Sequence, residues 1–206
     1  MKTVITISRQ YGSGGREIGK KLADQLGIPF YDNEIISRAA KETGFSEAAF
    51  ESVEDKATNS LLYSIAMGMN VFTSQDTGFA GLSLDDRIFL AQSNVIRKVA
   101  EEGACVIVGR CADYILKDLD DIVNVFISAN LDFRIQRSIE IDQLSPENAA
   151  ETVSKKDKSR GNYYRYHAGE RWDNLFNYDL ALRSDRIGID KTVECIKNYV
   201  QSISNE

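Results

Sequence analysis

Residues 3–22, TVITISRQYGSGGREIGKKL, constrain the fold more than any other part of this chain. A short apolar run rich in β-branched residues gives way to Gly12, Gly14 and Gly15, and these to a helix-like pattern with Ile18 and Leu22 on one face. Strand, glycine turn and helix in that order make a phosphate cradle. Glycines let the backbone curl so that successive N–H groups converge, and the helix adds its positive N-terminal end. A plain strand-to-helix turn needs one glycine, whereas this one has three in four positions. The usual cradle, G-x-x-x-x-G-K-[S/T], also carries a lysine and a hydroxyl. Aligned on Gly14, this chain has Arg9 at the first glycine and Gly15 at the lysine, with Arg16 and Glu17 next. The turn of Gly12, Ser13, Gly14 and Gly15 is therefore expected to hold phosphate through altered chemistry.

The rest of the chain alternates between strand-like and helical patterns. Strands are predicted at residues 3–8, 29–31, 104–108, 121–127 and 178–184, and helices at 15–26, 33–42, 85–102, 131–141 and 189–202. The run 104–108 is apolar throughout, as a strand buried on both faces would be. This alternation predicts an α/β fold of three layers, a parallel sheet of about five strands with helices on both faces. Residues 46–84 read as a helix leading to a flexible loop, and residues 145–171 as a charged stretch with little core signal.

Charge narrows the partners. A net charge of −6 argues against general affinity for nucleic acid. The basic residues nevertheless gather at 9–21, 134–137 and 155–171, as they would if reserved for a small anion. Cys105, Cys111 and Cys195 are odd in number and lack zinc-site spacing, so reduced thiols in a cytoplasmic protein are expected. No apolar stretch approaches the roughly 20 residues of a membrane span, and the apolar run after Lys2 reads as a strand rather than a signal peptide.

Four short motifs then occur in order on these elements: Gly12-Ser13-Gly14-Gly15-Arg16-Glu17, Asp32-Asn33-Glu34-Ile35-Ile36-Ser37-Arg38, Gly109-Arg110-Cys111 and Asp157-Lys158-Ser159-Arg160. Together they resemble the G-S-G-K-G-T, D-T-G-A-x-Y-R, G-R-D and acidic-x-x-Arg motifs of a cytidylate-kinase-like family among the P-loop nucleoside monophosphate kinases. The resemblance spans nearly the whole chain. It implies one P-loop kinase domain over residues 1–206, an acceptor-binding insertion at 33–84 and a mobile lid at 145–170. The usual earlier Arg-Asp pair of the lid is replaced by Val153-Ser154.

The resemblance also implies ATP and Mg2+ as cofactors and a small phosphate-bearing acceptor, with CMP or dCMP the first choice. Gly12, Ser13, Gly14, Gly15, Arg16 and Glu17 would hold the donor. Arg16 would replace the missing lysine or be a solvated first-turn arginine. Glu17 would ligate magnesium or simply be a favourable acidic residue of a first helical turn. Arg38 and Arg110 would hold the acceptor phosphate, with Gly109 beside them. Asp32 would meet a sugar hydroxyl or a metal-bound water, or cap a helix. Arg134, Arg137 and Arg160 would neutralise the group in transit. His167 is expected to be structural, and the aromatic residues from Tyr163 to Tyr178 to pack the lid on the core. Two alternatives stay open: a nucleotide-binding protein with lost or altered catalysis, and a kinase for another small acceptor.

Overall fold

The computed structural model describes residues 3–50 and 83–203. Strand β1 (Val4–Arg9) runs into the glycine turn and helix α1 (Gly15–Leu26). Gly27, left-handed at φ 66°, ends α1 by donating its amide to Ala23 and Asp24. Then follow β2 (Phe30–Tyr31), α2 (Asn33–Thr43), α3 (Leu84–Glu102), β3 (Val106–Val108) and the short α4 (Ala112–Ile115). The chain continues through β4 (Ile122–Ser128), α5 (Leu131–Glu140), α6 (Pro146–Ala168), β5 (Leu180–Arg183), the short α7 (Ser184–Ile187) and α8 (Ile189–Ile203). The five strands are parallel in the order β2-β3-β1-β4-β5.

Period-two alternation divides the core between the two faces. Ile5, Ile7, Val106, Val108, Val123, Val125 and Ile127 face α1 and α8, where Ile18, Leu22, Val193 and Ile196 meet them. Val4 and Ile107 point the other way, towards Ile35 and Ile36 of α2 and Ile88 and Ile96 of α3. The three-layer reading of the sequence thus holds. Residues 145–171, which looked merely charged, instead contain one 23-residue helix with a sparse buried stripe of Ala149, Val153, Ser159, Tyr163 and Tyr164. Of the insertion expected at 33–84, residues 51–82 lie outside the described ones.

Of the aromatic residues from Tyr163 to Tyr178, Tyr163, Tyr164 and Trp172 pack on the core as expected, whereas Phe176 stands almost fully in solvent and Tyr166 is largely exposed. Phe126 meets Trp172 and Tyr178, while the Tyr178 hydroxyl donates to the Trp172 carbonyl at 2.6 Å. The His167 ring stacks on Phe89 with centroids 3.8 Å apart, and Tyr163 and Tyr166 present their edges to it. Burial there lowers the His167 pKa to about 4, although Asp86 pulls the other way. A lowered pKa means that the unfolded chain takes up the proton first. Stability should therefore be complete above the ordinary histidine pKa of about 6.5 and fall as pH drops towards 4. Replacing His167 with phenylalanine should flatten that acid limb by on the order of 2–3 kcal/mol in urea titrations at stepped pH. An unchanged slope would show that His167 titrates normally in the fold.

Candidate active site

The glycine turn closes β1 onto α1 with Gly12 at φ 74° and Gly14 at φ 81°. Space is short at Gly12: a Cβ there would lie 2.5 Å from the Arg134 carbonyl oxygen and 2.7 Å from Ser138 Oγ. The turn therefore rests directly on α5, which only glycine permits at this φ. Hydrogen bonds from four directions fix the rest of it. Gln10 donates its amide to the Ile127 carbonyl, and its side-chain oxygen accepts from Ala129 at 3.1 Å. Ser184 donates its hydroxyl to the Ser13 carbonyl at 2.6 Å. The Tyr11 amide donates to Asp157 Oδ1 at 2.7 Å. Among the described residues, by contrast, no protein acceptor takes the amides of Gly14, Gly15, Arg16 or Glu17. Four convergent donors at the start of a 12-residue helix form a preorganised anion site.

These amides open into a cleft of about 970 Å3, at the top of the range of roughly 300–1,000 Å3 usual for ligand pockets. It lies at the carboxyl ends of β1 and β3, where open α/β sheets bind ligands. Seven cations line it: Arg16 and Lys20 from α1, Arg9 and Arg110 from strand ends, Arg137 from α5, and Lys156 and Arg160 from α6. Four carboxylates oppose them, Glu17, Asp32, Glu34 and Asp142, so the cleft is positive within an acidic chain. Gly109, Arg110 and Cys111 are all left-handed, at φ 73°, 63° and 55°. That run turns the chain sharply after β3 and puts the buried Arg110 side chain into the cleft. Left-handed backbone costs a non-glycine residue roughly 1–2 kcal/mol, and such strain concentrates at functional sites.

Internal ion pairs pre-position several of these groups. Arg16 Nε lies 2.6 Å from Asp32 Oδ2. Glu17 is clasped by Arg137 Nη2 and by Lys21 Nζ, the latter at 3.2 Å. Arg160 sits over the Tyr11 ring at 5.3 Å and donates to the Arg9 carbonyl at 3.2 Å. Burial and the adjacent Asp142 carboxylate push the Tyr11 phenol above its usual range, so it stays a neutral hydroxyl at physiological pH.

The cleft thus gathers Gly12, Gly14, Gly15, Arg16, Glu17, Asp32, Arg110, Arg137 and Arg160 from the sequence expectations. Three others serve it from behind. Ser13 is fully buried and donates its hydroxyl to the Gln10 carbonyl. Gly109 lies under the Arg9 guanidinium. Arg134 is buried and spends its guanidinium on the Ala129 and Tyr11 carbonyls and on Asp157, so its place is structural rather than at the moving phosphoryl group.

Arg38 departs from expectation. It is not among the cleft residues; it stacks over Tyr31 at 5.0 Å, with Glu34 at 3.6 Å and Glu102 at 3.7 Å. Glu34, one turn earlier on α2 and itself a cleft residue, and Glu102 of the facing helix hold it on α2. Arg38 thus stands beside a cleft residue without itself lining the cleft, whereas Arg110 lines it. Sequence reasoning also gave no role to Tyr11 or Ser184, whose partners are remote in the chain. Among the described residues, no group of three His, Cys, Asp or Glu side chains could hold a metal ion. No helix among them is long and apolar enough to cross a membrane.

Known proteins resemble this chain over nearly its whole length. A cytidylate kinase from Methanopyrus kandleri is 24% identical over 212 residues, covering 98% of this chain and 95% of the relative. A cytidylate kinase from Ignicoccus hospitalis is 26% identical over 199 residues, covering 96% and 99%. Among solved structures, an uncharacterized protein from Eubacterium ventriosum superposes with a TM-score of 0.72 at 27% identity, covering 98% of this chain and 99% of that one. A shikimate kinase from Bacteroides thetaiotaomicron, at 14% identity and TM-score 0.53 over 97% and 98% of the two chains, shares the fold. The family model described as the cytidylate kinase-like family matches residues 4–186, and this chain belongs to that family.

Proposed function

We propose that this protein transfers the γ-phosphoryl group of ATP to a nucleoside monophosphate, with CMP or dCMP as acceptor. One observation carries the reading: four open amides at a helix N-terminus share a single cleft with arginines from β1, the turn after β3, α5 and α6. Family membership and relatives named cytidylate kinase support the choice of acceptor. In this reading the Gly14–Glu17 amides hold the donor phosphates and Arg110 holds the acceptor phosphate. An acceptor phosphate oxygen attacks the γ-phosphorus while the bond to the bridging β–γ oxygen breaks and ADP leaves. Arg137 and Arg160 offset the charge that spreads over the transferring group, which is most of what catalysis of this reaction requires.

Magnesium suits such a site because it is commonly held by one or two carboxylates plus substrate phosphates, and Glu17 is the loop's own carboxylate. Its chemistry there would be neutralisation of the phosphates. Glu17 now faces Arg137 and Lys21, so donor binding would exchange that clasp, Arg137 moving to phosphate. The same clasp favours one other reading, a nucleotide-binding protein with altered catalysis. A coupled ADP-release assay over CMP, dCMP, UMP, AMP and non-nucleotide acceptors separates the two. Acceptor-dependent release is expected, greatest with CMP or dCMP. ATP binding in calorimetry without release from any acceptor would favour the alternative.

A further inference from the structure

Arg9 ends β1, yet its side chain crosses the glycine turn instead of leaving it. A Cβ built on Gly15 would fall 2.5 Å from Arg9 Cβ and 2.9 Å from Cγ. A Cβ built on Gly109 would fall 2.0 Å from Arg9 Nη1 and 2.8 Å from Cζ. Both distances are shorter than real Cβ contacts reach, so two glycines remote in sequence form the walls of a channel around one arginine. At Gly109 the left-handed backbone already favours glycine. Gly15 is the first residue of α1 and carries no positive φ, so no dihedral reason calls for glycine there. The packing gives one: a side chain there would collide with the Arg9 stem. The head it delivers lines the cleft together with Arg110, and its backbone is held by Arg160.

We infer that Arg9 is the cation this loop uses on the terminal phosphates of its nucleoside triphosphate, in place of the lysine. Cation and glycine have exchanged positions. The usual loop has glycine where Arg9 stands and lysine where Gly15 stands, and both arrangements bring one positive head to the same turn. Arg16, the more obvious substitute, is instead engaged with Asp32 and largely solvent-exposed. A guanidinium crossing the loop can also take two phosphate oxygens at once, which an ammonium does less well. This inference rests on the donor site proposed above.

The test is calorimetry with ATP on the wild type, Arg9→Gly, Gly15→Ala and the double variant Arg9→Gly/Gly15→Lys. Arg9→Gly should weaken ATP binding roughly tenfold to a hundredfold. Gly15→Ala changes no charge but should also weaken it, by forcing the Arg9 stem aside. The double variant should regain at least tenfold over Arg9→Gly, because it restores the usual order of glycine and lysine. Thermal melts check that each variant folds. Should Arg9→Gly fail to fold, Arg9→Met, which fills the channel without charge, replaces it and should show the same loss. ATP binding by the charge-removed variant within twofold of the wild type would overturn the inference while leaving the nucleotide reading intact. A wild type that binds no nucleotide would instead overturn that reading.

Discussion

Replacing Arg134 with methionine is expected to destabilise the protein by about 3 kcal/mol and to abolish most activity together with it. The guanidinium is 9% exposed and its partner Asp157 18%, so the pair is nearly buried. Removing one member leaves the other charge without compensation, which typically costs about 3–5 kcal/mol; the low end applies because Asp157 retains some solvent. The loss should lower the melting temperature by about 6–12 °C for a chain of this size. Asp157 also accepts the Tyr11 amide, so the pair ties α5 and α6 to the phosphate turn. Asp157→Asn keeps an acceptor for Tyr11 but strands the more deeply buried Arg134 charge, and should cost a comparable amount. Equal melting temperatures for Arg134→Met and the wild type would show that the pair contributes little and that the turn is held by its other bonds.

A second large effect is expected at Arg160, through kinetics rather than stability. It belongs to α6, reaches into the cleft over Tyr11 and is anchored on the Arg9 carbonyl. An arginine that meets the transferring group acts mainly in the transition state. Arg160→Ala should therefore lower kcat by on the order of a thousandfold while changing the melting temperature little. Arg160→Lys should recover only part of the loss, because a point charge cannot reproduce the fork. A rise in KM for ATP with kcat unchanged would place Arg160 in ground-state binding instead.

Local signals made the sheet and most helices legible from sequence. The limits of α1 follow from the glycine turn before it and the left-handed Gly27 after it, and the parallel sheet from apolar runs set between amphipathic helices. Helix α6 was harder to see because its buried stripe is sparse and broken by Ser159 and Gly161. Its end signals, Ser145-Pro146 before and Gly169 after, were nonetheless present. The cradle was legible because three glycines in four positions have few other uses. The cations were less so, since an arginine's destination depends on which carboxylate the fold brings near it. Arg16 met Asp32, Arg134 met Asp157, and Arg38 met Glu34 and Glu102. The course of Arg9 depends on a glycine just after the neighbouring strand of the sheet, a relation no local pattern encodes.

Transfer of radiolabel from γ-labelled ATP to CMP, with magnesium present and products separated by chromatography, tests the central claim most directly. Label should appear in the β-phosphate of CDP, at a rate that depends on CMP concentration and falls by orders of magnitude in Arg160→Ala. Label remaining in ATP or appearing only as inorganic phosphate, across CMP and every other nucleoside monophosphate tried, would contradict it.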